Sequence, residues 1–343
     1  MSEMTNTSQN KDDTSAWTVS VVIPAYNAGQ YIGRALDSVL GQTQKADEII
    51  VVDDGSTDET AAIVAKYADR VKYIRQENRG ASAARNTGIK AAGSEWVAFL
   101  DGDDEWLGEK LQKQIELLQR NPELNWCTGN FIRCLCEERR QGPDLEPRRC
   151  RELLGGKEYF ENYFQACMVG ATGHTNMTMI KRVLLEEVGG FREEQKRFND
   201  MDMWFRINYR SPRVGYVPEA LIVYHLDVSE SISRRYHQSS IYGELIERHL
   251  KLAADWGQSE TFKPCAAHLL RGWMRAMLFE AQGEEIRRML EQFDDLLPGG
   301  YKSFMRLLTT FPRATAGGCH FISRLVRTLR LRRKPVRKPP KNI

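Results

Sequence analysis

The segment WVAFLDGDDEW, Trp96 to Trp106, runs an apolar stretch straight into three carboxylates, Asp101, Asp103 and Asp104. The continuous apolar run from Trp96 to Leu100 suits a strand buried on both faces, as in a parallel sheet. Packed like charges cost free energy unless a cation lies among them. The strand end is therefore a place where a positive partner is expected. The pattern repeats on either side. TVSVVIPAYN (18–27), EIIVVDD (48–54) and VKYIRQE (71–77) read as strands. Ile32, Ala35, Leu36, Val39 and Leu40 recur at helical spacing, and DETAAIVAKYAD (58–69), GASAARNTGIKAAG (80–93) and EKLQKQIELLQR (109–120) read as helices. Strands alternating with helices predict an α/β fold: a doubly wound, mostly parallel sheet with helices on both faces.

In such sheets ligands bind beyond the carboxyl ends of the strands. That rule brings three loops to one edge: PAYNAG (24–29), DDGSTD (53–58) and DGDD (101–104). An Asp-x-Asp-Asp cluster supplies the hard oxygen ligands magnesium prefers, with substrate phosphates and water completing the shell. The plainer reading is a solvated acidic turn leading into the next helix. Asp53 and Asp54 at a strand end suit hydrogen bonds to a base or ribose, and Ser56-x-x-Glu59 is a capping box. Arg85 suits a diphosphate, whereas Arg79 reads as a surface arginine. Trp106 and Trp204 suit either sugar stacking or core packing. A dinucleotide-dependent oxidoreductase is excluded, because PAYNAG is not the Gly-x-Gly-x-x-Gly turn it needs.

Beyond residue 130 the pattern loosens. CEERRQGPDLEPRRCREL (136–153) reads as an exposed charged loop and GATGHTNMTMIKR (170–182) as a strand. NDMDMWFRINYR (199–210) reads as a helix, and Ser239 to about Thr310 as mainly helical.

Four of these stretches, VSVVIPAYNAGQYIGRALDSVLGQT, EIIVVDDGSTDET, ENRGASAARNTGI and WVAFLDGDDEW, together resemble the nucleotide-sugar half of glycosyltransferase family 2. GHTNMTMIKRVLLEEVGGF and NDMDMW resemble its acceptor half, so the likeness spans about Thr18 to Ser233. The resemblance implies a GT-A fold and an inverting transfer from a nucleoside-diphosphate sugar to an acceptor hydroxyl. It implies Mg²⁺ or Mn²⁺ on Asp103 or Asp104, a neighbouring carboxylate such as Asp101 on the ribose, and Asp54 on the base with Asp53 beside it. The resemblance further implies that Pro24, Ala25 and Tyr26 form the adjoining wall, with Arg85 the candidate for the diphosphate. Asp200 is the implied general base, with Asp202 as the alternative, because Asn199 stands where the family has its first acid. His225 matches loosely as a metal or phosphate contact, with Asp227 in the family's His column. The competing reading is a non-catalytic nucleotide-sugar-binding or scaffold protein with a degenerate acidic motif.

The chain divides on this reading into a polar leader (1–16), a glycosyltransferase domain (17–235, its donor half ending near 130), a helical region (236–320) and a tail (321–343). The leader lacks the apolar core of a signal peptide, and seven cysteines without a regular framework fit a reducing, cytoplasmic setting. The tail holds nine Lys or Arg and no acid, leaving 40 basic against 46 acidic residues elsewhere. Phe321, Ile322, Leu325, Val326 and Leu329 share one helical face with arginines around them. A basic amphipathic segment of this kind predicts peripheral contact with an anionic membrane at its inner face. It suits a carbohydrate or lipid-linked acceptor in cell-surface polysaccharide or glycolipid synthesis, with a UDP-sugar the first choice of donor. Nucleic acid is not expected, since aromatic residues do not interleave with the charges.

Overall fold

A computed structural model of the chain describes residues 17–134, 140–195, 197–226, 240–310, 312 and 314–319. The leader, Asp227 and the tail at 321–343 lie outside the described residues. The strands are β1 Val19–Ala25, β2 Glu48–Asp53, β3 Lys72–Arg75, β4 Trp96–Phe99, β5 Glu105–Trp106, β6 Trp126–Gly129, β7 Ile132–Cys134, β8 Arg140–Pro143, β9 Tyr159–Phe160, β10 Met179–Lys181, β11 Val214–Val217 and β12 Ile222–His225. The α-helices are α1 Ile32–Leu40, α2 Thr60–Val64, α3 Ala81–Ala91, α4 Lys110–Arg120, α5 Pro147–Leu154, α6 Tyr163–Met168, α7 Arg182–Glu187, α8 Asn199–Arg210, α9 Ser240–Asp255, α10 Ser259–Phe279, α11 Gly283–Gln292 and α12 Gly299–Leu308. They fall into two compact units: Met1–Glu161 with Ala171–Gln195 and Ser211–Ser229, and Asn162–Gly170 with Lys196–Arg210 and Glu230–Ile343.

In the first unit an eight-stranded sheet runs in the order β3-β2-β1-β4-β10-β6-β11-β9. β1 pairs in parallel with β2 and β4, and β2 with β3. The chain thus winds outward from β1 to β3, then returns to β4 on the other side of β1. That reversal opens a crevice at the carboxyl ends of the central strands. Pairing of Ala25 with Asp53 and of Val22 with Phe99 brings the three predicted loops to the same edge. β10 runs antiparallel between β4 and β6, so the sheet is mixed beyond its parallel half.

Continuous burial explains the apolar runs: every residue of β1 and β4 is buried. α3 covers β1 closely because it presents small residues, Ala83, Ala84 and Gly88. A Cβ on Gly88 would lie 2.2 Å from Val22 Cγ1, and Val22 is itself fully buried. A stiff β-branched neighbour cannot swing aside. Gly88→Ala is expected to destabilise the protein by about 1–3 kcal/mol, read as a lower midpoint of urea unfolding.

A small second sheet, β5-β12-β7-β8, was not legible in the sequence. Two-residue β5 is too short to show a period. The stretch read as one charged loop (136–153) is corrected as well: it contains β8 and α5, whose inward side buries Cys150 and Leu154. Its many arginines mask a helix that is amphipathic on a single narrow face.

The second unit is helical. α6, α8, α9 and α10 share a core in which Phe164, Phe205 and Phe262 meet with ring centroids 5.1–5.6 Å apart. Trp204 is 3% exposed, so it is a buried packing residue. Among the described residues no helix is long and apolar enough to cross a membrane.

Candidate active site

The acidic loop follows β4 at the crevice, and each of its carboxylates has a different setting. Asp101 is partly exposed and forms a short ion pair with Arg85, which is buried and sits over the Phe191 ring at 5.4 Å. Asp104 is fully buried and accepts hydrogen bonds from the His225 backbone N–H at 2.7 Å and from the Asn176 side-chain amide. Asp103 lies between them, half-buried, and its backbone carbonyl accepts a 2.6 Å hydrogen bond from Arg34. Burial, reinforced by the Asp101 charge, pushes the Asp103 carboxyl up to about 6. Burial and both neighbouring acids push Asp104 well above the usual carboxylate range. The cluster resists holding all its negative charge without a further cation.

Asn176, missed in the sequence, knits the loop together. Its side-chain oxygen accepts from the Asp101 N–H at 2.9 Å, its amide donates to Asp104, and its carbonyl accepts from Trp106 Nε1 at 2.9 Å. A single asparagine leading into a buried strand was the available signal. Arg34 was also missed, because its helical position looks like an ordinary exposed arginine until α1 is laid beside the loop.

The other predicted residues frame the same edge. Pro24 and Ala25 end β1 buried, and Tyr26 just beyond is 46% exposed. Asp53 is fully buried and accepts from the Ser56 N–H at 2.7 Å and from the Tyr73 hydroxyl. Asp54 accepts from Gln76 at 2.7 Å, the Arg79 N–H at 3.0 Å and the Gly80 N–H at 2.7 Å. It thereby ties the β2 end to the turn that starts α3. Pairing of β12 with β5 carries His225 to the loop, where its backbone holds Asp104 and its Nε2 lies 3.8 Å from Glu105.

Trp106 is 3% exposed, which places it in the core. Lys110 Nζ stands 3.6 Å from the centroid of its ring. Lys110 is fully buried, its amino group has no hydrogen-bond partner among the described residues, and burial pulls its pKa down to about 7. Below pH 7 folded and unfolded chains both carry this proton, so the folded state bears the full cost of a buried charge. Between about 7 and 10.5 only the unfolded chain holds it, so stability rises with pH. Lys110→Met is expected to raise stability by roughly 2–4 kcal/mol at pH 6, with about half of that gain gone by pH 9. Thermal melts of both proteins at the two pH values measure it.

In the second unit, α8 carries the two acids proposed for catalysis. Asp200 is half-buried in the first turn and accepts from the Met201 N–H at 2.7 Å. Asp202 is fully buried, bound by Arg206 at 2.8 Å, His249 Nε2 at 3.2 Å and Arg248 at 3.5 Å.

A divalent cation is implied by the family resemblance, and the donor set fits one. Among the described residues no three His, Cys, Asp or Glu side chains converge as a protein-only cage. One or two carboxylates, with substrate phosphates and water completing the shell, is what magnesium uses. Asp103 and Asp104 carry such carboxylates, and the hydrogen bonds that Asp104 accepts from His225 and Asn176 orient its carboxylate as outer-shell partners orient a metal ligand.

The model of glycosyl transferase family 2 matches residues 20–189. An uncharacterized glycosyltransferase of Rickettsia prowazekii (strain Madrid E) is 30% identical over 239 residues, 68% of this chain and 71% of the relative. The Escherichia coli protein named UDP-Glc:alpha-D-GlcNAc-diphosphoundecaprenol beta-1,3-glucosyltransferase WfgD is 39% identical over 117 residues, 34% of this chain and 46% of that one. The solved structure of S. aureus TarS 1–349 in complex with UDP-GlcNAc aligns with a TM-score of 0.61 at 21% identity, covering 87% of this chain and 88% of that one. This last likeness establishes the architecture, the mixed α/β sheet with a helical C-terminal region. The Rickettsia relative is matched over most of both chains and the family model over the whole crevice-forming half, and on these grounds the chain belongs to glycosyltransferase family 2 and is an enzyme of that class.

Proposed function

We propose that the protein transfers a sugar, with inversion, from a nucleoside-diphosphate donor to a hydroxyl of a carbohydrate or lipid-linked acceptor. The observation that carries this reading is the acidic loop: Asp101 and Asp103 are pressed together at the crevice, with Asp103 pushed toward protonation by its surroundings. A diphosphate with its metal resolves that repulsion. When bound, Mg²⁺ or Mn²⁺ neutralises charge developing on the departing diphosphate.

The chain's own residues have separate tasks. Asp103 holds the ion from the protein side, and Asp101, fixed by Arg85, faces the ribose or a second metal position. Asp104 is the brace that fastens the loop to β12, and the His225 ring is kept as a contact to phosphate or metal. Tyr26, with Pro24 and Ala25, walls the base, while Asp53 and Asp54 shape its floor. Asp200 removes the proton from the attacking hydroxyl. A UDP-sugar is the proposed donor, in keeping with the name of the WfgD relative. That name also favours a lipid-linked acceptor, which a basic tail at a membrane surface serves.

The test needs no known acceptor, because many transferases release nucleoside diphosphate slowly to water. A panel of nucleotide sugars is incubated with the protein, and diphosphate release is followed. Turnover of one donor is expected, stopped by EDTA and restored by Mg²⁺ or Mn²⁺. Asp103→Asn is expected to lower it by at least about 10²-fold, the scale of losing an electrostatic contact to the leaving group. Neither binding nor turnover across the panel would overturn the assignment of the acidic loop.

A further inference from the structure

Over most of the described surface, exposed large apolar side chains occur singly along the chain, as is ordinary. α12 is the exception. Phe304 is 57% exposed and Leu307 70% exposed, the two highest values among the large apolar side chains described. They stand three residues apart on one helix, so they share a face. Met305 and Thr309 occupy the opposite side and are buried. Gly299–Leu308 therefore turns apolar side chains both to the core and to solvent. A helix that only packs on its domain shows polar residues outward.

Beside this face lie cations without counter-charges. Tyr301, one turn before Phe304, links α12 to α10: its hydroxyl donates to the Arg271 carbonyl at 3.4 Å, and the Arg271 and Arg275 charges act on it. Burial and then the same two charges lower the His268 pKa, which sets His268, Arg271 and Arg275 in one stripe along α10. Arg275 is exposed and Arg271 half-buried. Each Nε donates at 3.2 Å to a carbonyl one turn back, that of Ala267 for Arg271 and that of Arg271 for Arg275. Neither guanidinium has an acidic partner among the described residues. Uncompensated cations beside exposed apolar side chains suit a surface that is apolar inside and anionic at its boundary.

We infer that the α12 face of Phe304 and Leu307, flanked by Arg271 and Arg275, docks on an anionic lipid bilayer. Phe304 and Leu307 enter the boundary between headgroups and acyl chains, and the two guanidiniums meet lipid phosphates. A second copy of the chain is a poorer occupant, because pairing this face with itself sets cation against cation. The continuation of the chain favours lipid as well: residues 321–343 carry nine Lys or Arg and no acid. On sequence the membrane contact falls to that tail alone. The folded face adds a second contact, one that holds the helical unit itself at the bilayer. Docking is measured without donor or acceptor, so it stands or falls apart from the transferase reading.

Co-sedimentation of the full chain with vesicles tests it, using phosphatidylcholine mixed with phosphatidylglycerol and phosphatidylcholine alone. The wild type is expected to bind the anionic vesicles and to bind the neutral ones far more weakly. Phe304→Ser combined with Leu307→Ser, the tail intact, is expected to weaken anionic binding at least about tenfold. Arg271→Gln and Arg275→Gln are expected to weaken it about fivefold each at low salt and less at high salt. Thermal melts check that the variants fold, and the arginine variants carry the test if the apolar pair does not. No binding by the wild type, or equal binding to both vesicle types, overturns the docking face. Unchanged binding in the folded Phe304 and Leu307 variant does so too, by assigning the contact to the tail. Sedimentation equilibrium without lipid is expected to show a wild-type monomer. A dimer that the same variant loses makes the face a contact between copies and overturns lipid docking. Diphosphate release from nucleotide sugars, followed separately, leaves the transferase reading standing whichever way the vesicles decide.

Discussion

Asp200→Asn is expected to lower the rate of sugar transfer by about 10²–10⁴-fold, the usual contribution of a general base. The substitution is nearly isosteric. An asparagine oxygen can still accept the Met201 N–H that Asp200 now holds at 2.7 Å. What is lost is the ability to take a proton from the acceptor hydroxyl. The loss should therefore appear in kcat with little change in KM for the donor, the pattern of an interaction made only in the transition state. The melting temperature should move by no more than a degree or two, because Asp200 is only partly buried and the hydrogen bond it accepts is local. Initial rates with saturating donor and a pyranoside acceptor, set beside a thermal melt, give both numbers. An unchanged kcat would remove Asp200 from the mechanism.

Asp202→Ala should behave in the opposite way, with a loss of about 3–5 kcal/mol of stability, as for other buried ion pairs broken from one side. Asp202 is 0% exposed and holds Arg206, Arg248 and His249 together across α8 and α9. Removing it takes away the carboxylate that the buried Arg206 guanidinium holds at 2.8 Å. The His249 ring, which also meets the Tyr209 hydroxyl at 3.2 Å, loses its anionic neighbour. Burial already lowers the His249 pKa below 6.5, and Asp202 partly offsets this. With His249 lowered in the fold, the unfolded chain binds the extra proton, so stability is lost as pH falls below about 6.5. Without Asp202 the His249 pKa drops further, and the acid loss deepens. Urea titrations at pH 7.5 and 5.5 should show a large drop in the wild-type to Ala comparison at both, and a greater one at the lower pH. A loss under about 1 kcal/mol would mean that the network contributes little, as exposed ion pairs do.

These two acids stand two positions apart, and in the sequence only the resemblance to the family's motif ranked Asp200 ahead of Asp202 as base. Both fall in the first turn of one predicted helix, and either could be written as base. What divides them is a single rotation around that helix: Asp202 turns inward onto α9, while Asp200 stays at the surface. Only the packing partner, drawn from some forty residues downstream, settles which side is which.

The acidic loop shows the same division. The apolar run from Trp96 to Leu100, the period of the flanking helices and the loops after Ala25, Asp53 and Phe99 were all readable, because strand burial and helix amphipathicity are written in local spacing. They determined the sheet, its parallel half and the edge where the site lies. The settings of Asp101, Asp103 and Asp104 were not readable. They depend on Arg85 from α3, Arg34 from α1, Asn176 ahead of β10 and the His225 backbone on β12. Each of these arrives by chain reversal rather than by spacing. Burial and the charge of distant neighbours decide which carboxylate is braced, which is paired and which is pushed toward protonation, and those quantities exist only once the chain has closed on itself.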